Sequence, residues 1–415
     1  MSNIKKLLEG VEVEWKTLGE ITNILRGKRL TRNLLSANDK YPVFHGGLDP
    51  LGYYYNANRP ADTVMIINVG ASAGTVGYSS VDFWSSDGTY CIEQMAKLNN
   101  KFLYYFLLGE QYYLKSRVRV AGIPTLDAFV IEKLQIPIPY PNNLKKSLEI
   151  QQEIVRILDS FSMLTAELQA ELQARKSQYE YYRNQLLAYP MEESDQSSLR
   201  SNRSATSIQN SDNSIQPLST LNPHTGNSVL QPRGKVEWKV LEEVVEIKRG
   251  KRLIKNQLEK TGKYAVYQNC MIPLGYYHKN NVIADTTFII SAGSAGEIGY
   301  SDVDFWAADD VYYFVTKNDL KSRFLYHFLI TQQQKIYSQV RRSSVPRLSK
   351  TAFEKLLIPI PSLEEQEHIV SILDKFDALT TSLTEGLPKE IELRQKQYEY
   401  YRNMLLSFPK NNIKA

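Results

Sequence analysis

Glu14-Trp15-Lys16 and, downstream, Arg26-Gly27-Lys28-Arg29-Leu30 return as Glu237-Trp238-Lys239 and Arg249-Gly250-Lys251-Arg252-Leu253, an offset of 223 residues. The two copies also end alike: Gln178-Tyr179-Glu180-Tyr181-Tyr182-Arg183-Asn184 recurs as Gln397-Tyr398-Glu399-Tyr400-Tyr401-Arg402-Asn403. Two such units, each with its own apolar content and neither a member of a solenoid array, predict a pseudo-twofold molecule with two similar surfaces. A molecule of that kind reads or holds something bipartite.

With 415 residues, 42% hydrophobic and 23% charged, the chain has the composition of an ordinary globular protein with room for two or three cores. The N-terminus lacks the apolar core of a signal peptide, and no apolar run approaches the roughly 18 residues of a membrane span, so a cytoplasmic protein without membrane contact is expected. Cys91 and Cys270 occupy non-equivalent places in the repeat. A duplicated fold would duplicate a disulfide or metal site, so both are expected to be buried small residues, and no zinc site is expected. The net charge of +5 suits a nucleic-acid partner without requiring one.

Residues 191–231 hold ten Ser and five Asn, no aromatic residue and no sustained period, which predicts a flexible linker. Each flanking unit divides again at a proline-bounded run, Leu134-Gln135-Ile136-Pro137-Ile138-Pro139 and Leu356-Leu357-Ile358-Pro359-Ile360-Pro361, read as an edge strand or extended exit from a domain. Upstream of it, short β-branched and aromatic runs such as Thr63–Ile67 and Thr287–Ile290 are punctuated by Gly, Asn and Asp, and one helix per copy is expected over 101–108 and 322–330. The fold class is therefore α+β.

Downstream the period becomes helical. Ile150, Ile154, Ile157, Phe161, Leu164 and Leu168 step by alternating fours and threes, as do Ile369, Ile372, Phe376, Leu379 and Leu383. That is a coiled-coil seam, which favours helix-on-helix pairing over packing of each helix on its own globular part. A helix over 150–187 would be about 57 Å long at about 1.5 Å per residue. Gly386 and Pro388 fall in a stretch where the second copy carries four extra residues, so a kink or short break is expected near 386–388. The resulting division is 1–145, helix 146–190, linker 191–231, second domain 232–362, helix 363–408 and tail 409–415.

Three sets of residues are candidates for contact with a ligand. The first is the basic turn, Arg26, Lys28 and Arg29 with Arg249, Lys251 and Arg252. Its recurrence favours contact with phosphate oxygens over a solvated turn. The second is the small-residue loop containing Ser72 or Ser294, Gly70–Tyr78 and Gly293–Tyr300. It suits either close approach to DNA or a tight hairpin, and its spacing is not a nucleotide-binding signature. The third comprises positions that differ between copies: Arg117 and Arg119 against Arg341, Arg342 and Arg347, His45 against Gln268, and Asn68 against Ser291. Arginine can read guanine and Asn or Gln adenine in the major groove, although a plain surface charge fits any one of these residues as well.

No Asn/Asp-Pro-Pro-Tyr/Phe motif, glycine-rich adenosylmethionine loop, duplicated nuclease cluster or His pairing suited to acid/base or metal chemistry is found in the sequence. A chain that performs no chemistry alone is expected. The succession Trp15 or Trp238, Arg-Gly-Lys and Leu-x-Ile-Pro-Ile-Pro, followed by Gln152-Glu153-Ile154-Val155-Arg156-Ile157-Leu158-Asp159 or Gln366-Glu367-His368-Ile369-Val370-Ser371-Ile372-Leu373-Asp374, resembles the specificity subunit of type I restriction-modification systems. The resemblance covers both units.

It implies two mixed α/β target-recognition domains, each reading one half of an asymmetric bipartite double-stranded DNA site. It also implies two long antiparallel coiled-coil helices that set the spacer and dock two methyltransferase subunits, with restriction subunits added in the full complex. This chain would then be non-catalytic and bind no cofactor, while adenosylmethionine, ATP and magnesium are expected on the partners. The long linker departs from the family's compact pattern. Outside this class, a freestanding DNA-modifying enzyme or a duplicated scaffold without a DNA role would be distinguished by activity of the purified chain or by absence of salt-dependent DNA affinity.

Overall fold

A computed structural model describes residues 7–93, 95–190, 236–382 and 385–408. The expected linker 191–231, the seam residue Leu383 and the tail 409–415 lie outside the described residues. In the first copy the strands are β1 (Val13–Thr17), β2 (Ile24–Arg26), β3 (Tyr41–Phe44), β4 (Gly52–Tyr54), β5 (Thr63–Ile67), β6 (Val76–Ser79), β7 (Trp84–Ser85), β8 (Thr89–Ile92) and β9 (Gln135–Pro139). Its helices are α1 (Leu18–Ile21), α2 (Asn100–Gly109), α3 (Gln111–Ser116), α4 (Ala128–Glu132) and α5 (Leu144–Leu186).

The second copy repeats the plan with β10 (Glu237–Val240), β11 (Val245–Arg249), β12 (Tyr264–Tyr267), β13 (Gly275–Tyr277), β14 (Thr286–Ile290), β15 (Ile298–Ser301), β16 (Phe305–Ala307), β17 (Val311–Thr316) and β18 (Leu357–Ile360). The helices that follow the same logic are α6 (Leu241–Val244), α7 (Ser322–Thr331), α8 (Gln333–Tyr337), α9 (Leu363–Thr381) and α10 (Leu387–Leu406).

The sheets match strand for strand. A four-stranded antiparallel sheet runs β2-β8-β5-β6 in one copy and β11-β17-β14-β15 in the other, and a three-stranded sheet runs β4-β3-β7 and β13-β12-β16. In both small sheets the β3–β7 or β12–β16 pairing is parallel. Central strands β5 and β14 are buried at every position, as their continuous apolar reading requires. The Ile-Pro-Ile-Pro runs form β9 and β18, each paired antiparallel with one partner only, β1 or β10. One partner is what a proline without an N–H allows.

The chain forms two compact units that are not contiguous stretches. Unit 1 takes residues 1–170 and 389–415, and unit 2 takes 171–388. Each therefore holds one copy's sheets, part of that copy's helix and the end of the helix from the other copy.

In unit 1 the core joins Phe102, Phe106, Ile154 and Leu158 to Tyr398, Leu405 and Phe408 of α10 and its exit. Phe161 stacks on Tyr401 with ring centroids 5.0 Å apart. In unit 2 Tyr179, Leu186 and Tyr189 from the end of the first helical segment join Phe324, Phe328, Ile369 and Leu373. Tyr179 stacks on Phe376 at 6.1 Å and Tyr189 donates to Glu365 at 3.1 Å, so the two helices run antiparallel there. The seam thus pairs helix with helix, and each helix also packs on a globular part, so the two modes of packing occur together.

Buried polar contacts fix each helix on its domain in the same way twice. Gln151 Oε1 accepts from Asn99 N at 2.8 Å and Gln366 Oε1 from Lys321 N at 2.8 Å, both side chains fully buried beside the N-terminus of α2 or α7. Gln151, and not Gln152, is therefore the structural counterpart of Gln366. Lys101 pairs with Asp159 at 2.8 Å, as Arg323 pairs with Asp374 at 2.7 Å. Tyr105 donates to Asp159 at 2.6 Å, and His327, its counterpart, lies 2.9 Å from Asp374. Burial pushes the His327 pKa down. Burial alone would raise the Asp374 carboxyl, but hydrogen bonds from His327 and Arg323 bring it below its usual value.

Several expectations need correction. The first long helix begins at Leu144 rather than 146. The break expected near 386–388 is present but falls slightly earlier, as α9 ends at Thr381 and α10 begins at Leu387. The interruption comes from Gly386, whose φ is +81° and where any Cβ would meet the Ala378 carbonyl at 2.7 Å. Pro388 sits in the first turn of α10, where its missing N–H costs nothing. Cys91 is buried, but Cys270 is only half-buried.

The repeated heptapeptide separates two kinds of tyrosine. Tyr179 is 8% exposed and Tyr181 is 58% exposed. Tyr179→Ala is expected to destabilise unit 2 by about 3–5 kcal/mol, the usual cost of emptying a buried aromatic site, and Tyr181→Ala by less than about 0.5 kcal/mol. Urea unfolding of the full chain measures both, and equal losses would contradict this packing.

Candidate nucleic-acid interface

Both copies bring five loops to one end of the sheets. The basic turn after β2 lies against the β7–β8 turn: Gly27 N donates to Thr89 O at 3.1 Å and Lys28 N to Ser85 O at 2.9 Å. A Cβ on Gly27 would stand 2.0 Å from the Ser86 carbonyl, and one on Gly250 2.1 Å from that of Ala308. Only glycine permits this approach. The indoles of Trp84 and Trp306 donate to the Lys28 and Lys251 carbonyls at 2.9 and 3.0 Å, so a rigid ring holds each turn from the side.

Beneath the turn, Asn58 makes two hydrogen bonds to the backbone of Ser85, at 3.0 and 2.7 Å. Asn281 makes the same pair to Ala307 at 2.9 and 2.7 Å. Arg26 Nε donates to Asp87 O at 3.3 Å and Arg249 Nε to Asp309 O at 2.7 Å. These two arginines are anchored on the neighbouring β7–β8 or β16–β17 turn, while Lys28, Arg29, Lys251 and Arg252 are exposed on a braced backbone.

The β7–β8 turn joins the basic turn to the variable positions. His45 is exposed with Nδ1 3.4 Å from Asp87 Oδ1, and Gln268, at the matching place, is half-buried. Gly88 O accepts from Asn68 N at 3.1 Å, and Gly70 N donates to Pro124 O at 2.9 Å, which links in the loop carrying Arg119. In the second copy Ser291 N donates to Asp310 O at 2.7 Å and Gly293 N to Pro346 O at 3.1 Å, which links in Arg341 and Arg347.

Asn68 and Ser291 are 2% and 6% exposed and belong to the frame, so neither side chain is placed to meet a base edge. Ser72 and Ser294 sit half-buried in the hairpin turns between β5 and β6 and between β14 and β15. The small residues there serve close packing: a Cβ on Gly74 would meet the Lys115 backbone at 2.9 Å and one on Gly296 the Tyr337 ring at 2.6 Å. Arg117 is exposed and lies over the Tyr113 ring at 5.0 Å, and Arg119 pairs with Asp127 at 2.7 Å. Arg341, Arg342 and Arg347 are exposed.

Among the described residues no group of three His, Cys, Asp or Glu side chains could hold a metal ion. Among the same residues no helix is long and apolar enough to cross a membrane. Trp84, Trp306, Asn58, Asn281, Asp87 and Asp309 were not among the sequence candidates. Their recurrence at the repeat offset is the signal that could have marked them.

The chain matches the type I restriction modification DNA specificity domain twice, over residues 10–175 and 234–393. It belongs to the family of type I restriction-modification specificity subunits. The type I restriction enzyme EcoR124I/EcoR124II specificity subunit of Escherichia coli is 32% identical over 99% of this chain and 98% of that protein. A putative type I restriction enzyme specificity subunit of Haemophilus influenzae is 30% identical over 98% of both. The crystal structure of a type I restriction-modification S subunit from M. genitalium shares the fold, with a TM-score of 0.61 at 20% identity, covering 97% of this chain and 98% of that one. The chain is accordingly the non-catalytic DNA-recognition component of a type I system, built as an α+β specificity subunit with two recognition domains.

The glycine of the basic turn has a measurable role in that component. Gly27→Ala is expected to cost about 1–3 kcal/mol by overpacking against the Ser86 carbonyl. Gly47→Ala, with nothing within 4 Å of its Cβ, should be silent in the same thermal unfolding experiment.

Proposed function

We propose that each copy reads one half of an asymmetric bipartite DNA site, and that the chain does so in the cytoplasm as part of a complex with two methyltransferase subunits and, in the full enzyme, restriction subunits. The supporting observation is the pair of five-loop ends: one hydrogen-bonded frame, made twice, that exposes unlike side chains. Equal frames give equal docking on the phosphate backbone, and unlike side chains give unlike base preferences.

Lys28, Arg29, Lys251 and Arg252 supply the sequence-independent attraction. Arg26 and Arg249 shape the turns that carry them. His45, Gln268 and the arginines at 117, 119, 341, 342 and 347 face the region where base edges would lie. The seam residues Ile154, Ile157, Phe161, Leu164, Leu168, Ile369, Ile372, Phe376 and Leu379 hold the helices, whose remaining faces would receive the methyltransferase subunits and set the unread spacer.

Adenosylmethionine, ATP and magnesium would be bound by the partners, and methyl transfer, translocation and cleavage would occur there. A description of complex assembly in a type I system comes with a fold relative of TM-score 0.50, 14% identical over 95% of this chain and 97% of that one.

The test is the salt dependence of DNA binding by the assembled complex. Changing Lys28 and Lys251 to Ala should weaken binding to every sequence and reduce the slope of log affinity against log salt by about 0.9 for each lost phosphate contact. An unchanged slope would remove the basic turns from the interface.

A further inference from the structure

The copies differ sharply where one short loop leaves the shared frame. In the first copy Arg119 and Thr125 exchange backbone hydrogen bonds at 2.9 and 3.0 Å, and in the second Arg341 and Arg347 do so at 2.9 and 3.1 Å. Both loops are seated alike on the sheet, through Leu126 N to Asn68 O at 2.8 Å and Leu348 N to Ser291 O at 2.8 Å. Inside this common base the tips are Val120-Ala121-Gly122-Ile123 and Arg342-Ser343-Ser344-Val345. Position by position, Val120 stands where the other copy has Arg342, and Thr125 where it has Arg347.

Val120 is 80% exposed and Ile123 70% exposed, on a loop flanked by Arg117 and Arg119. Apolar side chains set this far into water beside cations gain nothing in the free protein, and an apolar tip rimmed by positive charge fits a surface that is anionic outside and apolar within. The loop is also continuous with the basic turn through the Pro124, Gly70, Asn68 and Gly88 hydrogen bonds already described. Duplex DNA offers such a surface, phosphates at the rim and base edges in the groove. A valine or isoleucine has no donor or acceptor, so the feature it can distinguish on a major-groove base edge is the thymine C5 methyl, whereas arginine pairs with guanine O6 and N7.

We infer that the tip 120–123 is a specificity-determining element of the first half-site that packs Val120 and Ile123 on a thymine methyl, and that Arg342 at the same place in the second copy reads guanine. This rests on the DNA-recognition reading proposed above, which fixes the face but not the bases.

The experiment uses the chain assembled with its methyltransferase subunits and the motif found by mapping methylated adenines. Deoxyuridine replaces thymine, one position at a time, in duplexes carrying the motif. Binding should fall about fourfold at one or two positions of the first half-site, the value of one buried methyl group. V120S/I123S should bind thymine and deoxyuridine duplexes alike. In cells, V120R should change the methylated motif at one position of the first half only, and R342V at one position of the second half only.

Equal affinity for thymine and deoxyuridine at every position, with binding intact, would overturn the inference and leave the broader reading standing. So would loss of assembly with the methyltransferase in V120S/I123S with the motif unchanged, which would make the tip a protein-docking element. Failure of the wild-type complex to bind any bipartite motif would instead refute the DNA-recognition reading itself.

Discussion

The structure depends on the burial of each copy's helix end in the core that contains the other copy's sheets. Tyr398, Leu405 and Phe408 complete the core of unit 1, and Tyr179, Leu186 and Tyr189 complete that of unit 2. Without these residues α2 or α7 and the start of the long helix would present Phe102 and Ile154, or Phe324 and Ile369, to water. Each fully buried side chain of that size is worth roughly 1.5–3 kcal/mol. The repeated Gln-Tyr-Glu-Tyr-Tyr-Arg-Asn motif recurs because it does this packing work twice, its first tyrosine inward and its second outward.

On this support the interface is a problem of bracing. A cationic turn is mobile by default, and mobility weakens any contact that must be ordered on binding. Gly27 and Gly250 let the turns lie flat on the carbonyls of the neighbouring loop, the two indoles hold the turn backbone, and Asn58 and Asn281 tie that loop from below. The arginines nearest the sheet bond to the neighbouring turn, and the cations beyond it are exposed. The frame is thus paired and partly buried, Asn68 and Ser291 included, while the exposed side chains that differ between copies, such as His45 and the arginines at 117, 341 and 342, stand outside it.

Much of this was legible in the sequence. The duplication, the α+β class and the proline-bounded strands were legible from repeated motifs and local periodicity, and Phe161 and Phe376 of the expected seam do meet tyrosines of the other helix. What was not legible depended on side chains reaching backbone far away in the chain. Gln151 stands three residues before Ile154, as Gln366 does before Ile369, but its burial and its bonds to Asn99 N and Lys97 O are set by backbone far away in the chain. Asn68 read as a polar reader but ends a buried strand, and polarity alone does not reveal that its backbone is shared with Gly88 and Leu126. The helix interruption was expected from Pro388, yet it is the positive φ of Gly386 that interrupts the chain, since proline is welcome in a first turn. The mutual dependence of the two cores was hidden because each helix end has its partners in the other copy.

The proposed reading, one frame used twice with different readers, makes a direct demand on the genome of a cell that carries this chain and a type I methyltransferase. Adenine methylation mapped with and without the chain should show one chain-dependent motif of two unlike halves separated by a fixed run of unread bases. A contiguous or palindromic motif, or a methylation pattern unchanged by loss of the chain, would contradict this account.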